Sequence, residues 1–242
     1  MDKNNSICTL KERLKFYDCD YLNRIKISTL LKLSADIAGY DYTVKGFSHE
    51  FLWEREMVFL LSRISLKIHE YPSQKEFLTT STWECGKKGA IFIRNTCIEN
   101  EAGKTIVDMK NGWILANPIT RHIHKPTVFS FDMPQYLEKT VSAKDIGKIA
   151  YDKLTQVASR EVRLTDLDNN GHMYNAVYAD IACDSLSKEQ FEKSVDNFRI
   201  NYVSEAVFGD TIDIYSQETE NMTVIVGKIG EKVCFETEFI FK

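Results

Sequence analysis

Residues 157–186 read VASREVRLTDLDNNGHMYNAVYADIACDSL, and the prediction of the fold starts from this stretch. Its Asp, Asn and Gly residues favour a turn, and the residues after the turn are compatible with a helix. Strand-like segments then follow, namely FRINYV, DTIDIYS, MTVIVGKIG and KVCFETEFIF. In the last of these we expect Val233, Phe235 and Phe239 to face the core. This half of the chain therefore predicts a strand, a long helix and then an antiparallel sheet.

The first half of the chain repeats this order of elements. An acidic turn with Asp18 and Asp20 leads into LNRIKISTLLKLSADIAGYD, where Leu30 and Ile37 recur at helical spacing. Strand-like segments follow, including FLLSRISLKIHEYP, EFLTTSTWECG, AIFIRNTCIEN and KTIVDMKNGWILAN. Asp20 and Asp168 occupy comparable turns, 148 residues apart. The chain is therefore expected to contain two similar halves.

An antiparallel sheet with one apolar face can be covered by a helix. Two such halves side by side would form an α+β fold, with two long helices packed on one continuous antiparallel sheet. We expect a first repeat over residues 1–128, a linker over 129–150 and a second repeat over 151–242. The segment KPTVFSFDMPQYLEKTVSAKDIGK, which suggests this linker, carries two of the four prolines. A single α+β domain without duplication is the alternative.

Composition limits the class of partner and the location. The net charge of −4 argues against nucleic acid as the main partner, because phosphate binding needs a concentrated basic surface. The six cysteines form no C-x-x-C pair, and the stretch MDKNNSICTLKERLKFYD has no apolar core of the signal-peptide type. We therefore expect reduced thiols and a cytoplasmic location. Apolar runs such as 57–61 are far shorter than the about 20 residues that cross a bilayer, so we expect no membrane insertion.

The polar cluster Asp168, Asn170 and His172 is the main candidate for chemistry. Asp and Asn are common helix caps, so we expect the cluster at the amino end of a helix that begins near Asn170. In an extended lead-in the three side chains would point the same way. An imidazole at this position suits acid–base chemistry near neutral pH. Glu205 follows the strand FRINYV, and its spacing alone is also typical of an exposed glutamate.

These residues resemble the fatty acyl-acyl carrier protein thioesterases of plants and bacteria. Members carry a D-x-N-x-H motif at the start of the second hot-dog helix, here Asp168, Asn170 and His172, and a later glutamate, here Glu205. WEREMVFLLSRISLKIHEYPSQKEFLTTSTWECG and GWILANPITRHIHKP are also similar to family segments. The resemblance implies a tandem, or double, hot-dog fold and hydrolysis of a fatty acyl thioester on acyl carrier protein, which ends chain elongation in fatty acid biosynthesis.

The resemblance also implies how the site is built. Plant members often carry a cysteine directly after the glutamate, where this chain has Ala206, so hydrolysis is expected to use an activated water. His172 or Glu205 would activate that water, with Asp168 orienting its neighbours or sharing this role. Asn170 and backbone N–H groups would stabilise the oxyanion. No metal or organic cofactor is needed, because a thioester is already an activated acyl group.

The first half lacks this set of residues. Leu22 and Arg24 stand where the second half has Asn170 and His172, so we expect one active site. The family resemblance assigns most of the acyl-chain pocket to the first half. Two alternatives stay open, an acyl-CoA thioesterase of the same fold and a non-catalytic module that binds acyl chains or the carrier protein. The chain is expected to be a monomer or a homodimer.

Other signals carry less weight. His122 and His124 have no third metal ligand nearby, and Arg121 and Lys125 flank them, which disfavours a metal. No G-x-S-x-G elbow of a serine hydrolase is present. The basic turn GKKG, together with Arg94, is expected to be solvated, with contact to an acidic carrier protein as the alternative.

Overall fold

The computed structural model describes residues 6–72 and 74–242 of the chain. In the first half the helices and strands are β1 Ile7–Arg13, α1 Ile27–Val44, α2 His49–Trp53, β2 Val58–Ile68, β3 Phe77–Lys88, β4 Ile91–Glu99 and β5 Thr105–Ala116. In the second half they are β6 Thr155–Glu161, α3 Asn175–Asp184, α4 Lys188–Glu192, β7 Val195–Tyr202, β8 Thr211–Glu218, β9 Met222–Ile229 and β10 Lys232–Phe241.

The ten strands of the described residues belong to one sheet, in the order β1-β3-β4-β5-β2-β7-β10-β9-β8-β6, and every pair is antiparallel. The second half repeats the order of the first in reverse, and β2 pairs with β7 at the junction, for example Arg63 with Asn201. Helices α1 and α3 contact each other. The prediction of long helices on one continuous sheet is therefore confirmed.

The two halves match element by element. The same offset of 148 residues separates the first residues of β1 and β6 and those of α1 and α3. A single 3₁₀ turn precedes each of the helices α1 and α3, at Phe16–Asp18 and at Leu164–Asp166 respectively. The sequence comparison of Asp20 with Asp168 thus identified structurally equivalent turns.

One apolar core lies between the helices and the sheet and draws on both halves. It includes Leu30 of α1, Leu66 of β2, Phe198 of β7 and Phe239 of β10, all with no exposed surface. Burial of apolar surface from both halves in a single cluster stabilises the halves together rather than separately. The relative position of the elements around the junction is therefore set by the core.

Two details differ from the sequence-based expectations. The helix α3 begins at Asn175, five residues after Asn170. Phe235 and Phe239 are buried as expected, but Val233 is only partly buried and packs in a separate cluster around Val224. The β-strand register shifts between Val233 and Phe235, and such a bulge turns the preceding side chain to the other face.

Residues 129–150, all of which the structure describes, form neither helix nor strand. Phe129, Ala143 and Ile149 of this segment are nevertheless buried. The three-part division of the chain stays a prediction. In the described ranges 6–72 and 74–242, no helix has the length and apolar character needed to span a membrane.

Candidate active site

The polar cluster forms a tight turn rather than an extended lead-in. The Oδ1 of Asp168 accepts hydrogen bonds from the backbone N–H of Asn170 at 2.8 Å and of His172 at 3.3 Å. Gly171 has a φ of +76°, a conformation that glycine adopts without strain. The Asp168 carboxylate is therefore used to hold the turn, and Asn170 lies exposed at its tip.

Glu205 lies in a clamped segment after β7. The backbone N–H of Ser204 donates to the carbonyl of Cys234, and that of Ala206 donates to the hydroxyl of Tyr178. Burial raises the pKa of Tyr178 far above its ordinary value, so the phenol stays neutral. The segment is therefore fixed to both α3 and the start of β10.

Backbone pairing brings the turn and this segment together. His172 forms an isolated β-bridge with Val207, and the N–H of Met173 donates to the carbonyl of Ala206 at 2.9 Å. As a result, Nε2 of His172 lies 3.4 Å from Oε2 of Glu205. Two of the four predicted residues are thus in side-chain contact, although 33 positions separate them in the sequence.

Arg121 contacts two of the predicted site residues, and the sequence analysis missed it. Its Nε lies 3.2 Å from Oε2 of Glu205, and its Nη2 lies 3.2 and 3.1 Å from the two ring nitrogens of His172. The sequence analysis treated Arg121 only as a charge beside two histidines. The signal that could have found it is the N-P-I-T-R turn after β5, since turn residues often carry functional side chains.

A cleft of about 1300 Å³ joins these groups, and all four predicted residues line it. A smaller cavity of about 250 Å³ adjoins the cleft. Four residues line both spaces, namely His49, Val58, Phe59 and Trp113. The smaller cavity lies in the first half, between α1 and the sheet, and its walls are mostly apolar and aromatic.

A buried ionic network forms one wall of this cavity. Arg94 lies 2.8 Å from a carboxylate oxygen of Asp41 and 2.9 Å from one of Glu84, and Lys45 also pairs with Asp41. The hydroxyl of Tyr42 donates to Glu84 at 2.6 Å. Arg94 is 2% exposed, so its expected place in a solvated turn is wrong. Burial opposes its charge, but the adjacent carboxylates outweigh burial and raise the pKa of Arg94.

The model of the acyl-ACP thioesterase N-terminal domain matches residues 9–127, and that of the C-terminal domain matches residues 150–234. The crystal structure of an acyl-ACP thioesterase from Bacteroides thetaiotaomicron is 25% identical, covers 100% of both chains and has a TM-score of 0.85. The 12:0-ACP thioesterase from Umbellularia californica is 13% identical, with 98% of each chain covered and a TM-score of 0.82, and shows the shared fold. No curated protein matches by sequence.

Proposed function

Because the chain belongs to the acyl-ACP thioesterase family, we propose that Asp168, Asn170, His172 and Glu205 form its active site. The reaction is hydrolysis of the thioester that joins a fatty acyl chain to acyl carrier protein. The contact of 3.4 Å between His172 and Glu205, in a cleft next to an apolar cavity, is the observation that supports this assignment.

The pair activates the attacking water. His172 and Glu205 lie 3.4 Å apart, so the pair can take up the proton removed from water. The water oxygen bonds to the carbonyl carbon, and the carbonyl electrons move onto oxygen. The C–S bond then breaks, and the leaving thiolate takes the proton from the pair as the free fatty acid forms. Asp168 acts by holding the turn, because its carboxylate already accepts two backbone N–H bonds.

The oxyanion needs hydrogen-bond donors at the cleft. The side-chain amide of Asn170 is our candidate, because this residue lines the cleft and is not buried. The amino end of α3 begins at Asn175, which also lines the cleft, so the dipole of this helix points its positive end toward the same space. Loss of one oxyanion donor typically costs about 3 to 4 kcal/mol of transition-state stabilisation.

A cysteine nucleophile is not part of the proposal. Ala206 follows Glu205 directly, and the nearby Cys234 has no exposed surface. Burial raises the pKa of Cys234 to about 11, and only a thiolate is an effective nucleophile. The proposed reaction therefore proceeds by direct attack of water.

The cavity of about 250 Å³ is the proposed site of the acyl chain. Its aromatic and aliphatic walls suit a hydrocarbon, and it meets the cleft along Val58 and Phe59. Arg94 and Glu84 form one side of the cavity with fixed, paired charges. The methyl end of an acyl chain cannot take the place of these charges without a desolvation penalty. A cytoplasmic location, where the carrier-bound substrate would be met, completes the proposal.

Release of thiol from matched acyl-ACP and acyl-CoA substrates tests this function. Wild type should prefer the carrier-bound substrate, and His172→Ala and Glu205→Gln should lose most of kcat while keeping the wild-type melting temperature. Better use of acyl-CoA would point to the nucleotide-linked class instead. If wild type turns over neither substrate but still binds acyl carrier protein, the chain is a binding module and the catalytic assignment fails.

A further inference from the structure

We propose that Arg121 is a positioning residue that holds Glu205 and His172 in their reactive arrangement. Its guanidinium lies 3.2 Å from the Glu205 carboxylate and within 3.2 Å of both ring nitrogens of His172. A guanidinium has only donors, so a ring nitrogen that bonds to it accepts the hydrogen bond. Arg121 thereby holds the His172 ring beside the Glu205 carboxylate. This inference rests on the proposed function.

The two catalytic side chains need such support because packing does not lock them. The side chain of Glu205 is 40% exposed and that of His172 is 23% exposed. Among the described residues, the close ionic contacts of the Glu205 carboxylate are those with Arg121 and His172. The backbone on either side is clamped, but the carboxylate itself is free to rotate into the cleft without Arg121.

The turn that carries Arg121 has no need of an arginine for its own stability. The side-chain oxygen of Asn117 accepts from the N–H groups of Ile119 and Thr120, and the N–H of Arg121 donates to the carbonyl of Asn117. Arg121 has a φ of +59°, which costs a non-glycine residue about 1 kcal/mol or more. Glycine would adopt this φ without strain. What the arginine contributes is therefore its guanidinium.

The segment of residues 117–125, called the arm, also explains how one site forms across both halves of the chain. Residues 117–125 follow β5 of the first half, whereas His172 and Glu205 belong to the second half. The arm is fixed at its base, where Ala116 forms an isolated β-bridge with Ile123. A loop that is fixed at its base and extends one side chain toward the site suits a positioning role.

Arg121→Gly is the decisive variant, because it removes the guanidinium and relieves the backbone strain. We expect its melting temperature to equal or exceed that of wild type. A misplacement of catalytic groups by about 1 Å lowers the reaction rate about 100-fold. We therefore expect kcat to fall about 100-fold on both acyl-ACP and a small acyl thioester, with KM little changed. Added guanidinium ion, at concentrations too low to unfold the protein, should restore part of kcat. Lys75→Gly, which removes an exposed cation at another position of positive φ that does not line the cleft, is the matched control and should keep wild-type kcat.

Three results would overturn this inference. One is wild-type activity in Arg121→Gly. Another is a raised KM for acyl-ACP with kcat retained, which would assign Arg121 to carrier docking. The third is a loss of kcat that guanidinium does not restore, which would assign it a structural role. By contrast, full activity in His172→Ala would contradict the proposed function itself, whatever Arg121→Gly does.

Discussion

Gly39 offers a direct test of where the acyl chain lies. It belongs to α1 and lines the cavity of about 250 Å³, and a Cβ built on it meets no atom within 4 Å. A larger side chain therefore takes up open space without displacing the protein. An apolar cavity of about 150 Å³ holds one benzene, or about 25 Å³ per carbon. The cavity of about 250 Å³ then takes about ten carbons of an acyl chain.

Gly39→Val adds an isopropyl group and should shorten the longest chain that is hydrolysed by about three carbons. The assay is kcat/KM over acyl-ACP substrates of increasing length. Each methylene that no longer fits should cost about 1 to 3 kcal/mol, so the decline beyond the new limit should be steep. Asp36→Val, at an exposed position of the same helix, is the matched control and should leave the profile unchanged. An unshifted profile in Gly39→Val would refute the placement of the chain in this cavity.

A second variant at Gly39 distinguishes a loss of cavity space from a loss of protein stability. Glycine within a helix is less stable than alanine by about 0.5 to 1 kcal/mol, so Gly39→Ala should raise the free energy of unfolding by about that amount. We expect a higher melting temperature together with weaker hydrolysis of the longest chains. A lower melting temperature would show that the space beside Gly39 is not open.

Three further predictions concern the frame around the site. Tyr178→Phe leaves the buried N–H of Ala206 unpaired and should lower the free energy of unfolding by about 1 to 3 kcal/mol, as measured by urea unfolding. Burial and the nearby Asp180 raise the pKa of Asp184, so the folded chain binds this proton more tightly than the unfolded chain and gains stability as the pH falls. Asp184→Asn should therefore melt higher than wild type at neutral pH, and the difference should vanish in thermal melts at acid pH. Gly227→Ala would drive a Cβ into a phenylalanine ring of β10 and should destabilise the fold by about 1 to 3 kcal/mol.

Local turn chemistry made the repeat predictable from the sequence. The Asp-rich turn before each helix depends on residues within a few positions of Asp20 or Asp168, so its hydrogen bonds follow from the sequence there. The alternation of apolar and polar residues within each strand predicted the sheet for the same reason. A bulge breaks this periodicity, and the unexpected position of Val233 shows that a strand pattern alone does not locate bulges.

Long-range contacts were not predictable in the same way. Spacing alone made Glu205 an ordinary exposed glutamate, and the family resemblance identified it as a site candidate. The resemblance gave Arg121 and Arg94 no role in the site, and their contacts could not be inferred from spacing because their partners lie on other elements of the fold. Arginine at a surface turn and arginine in a buried ion network have the same local sequence character. Only the packing of distant elements distinguishes them.

The two equivalent turns share a backbone frame but carry different side chains. Asp20 accepts N–H groups two and four residues later, as Asp168 does. In the first half, however, Arg24 occupies the position of His172 and donates to Asp20 and to the backbone carbonyls at the end of α4. The donors of Arg24 are engaged in holding the fold, whereas the His172 imidazole faces an open cleft with Glu205 beside it. Since the backbone frame is the same, we expect the chemistry to depend on a side chain that can accept a proton within reach of substrate, which the proposed site has in His172 of the second turn.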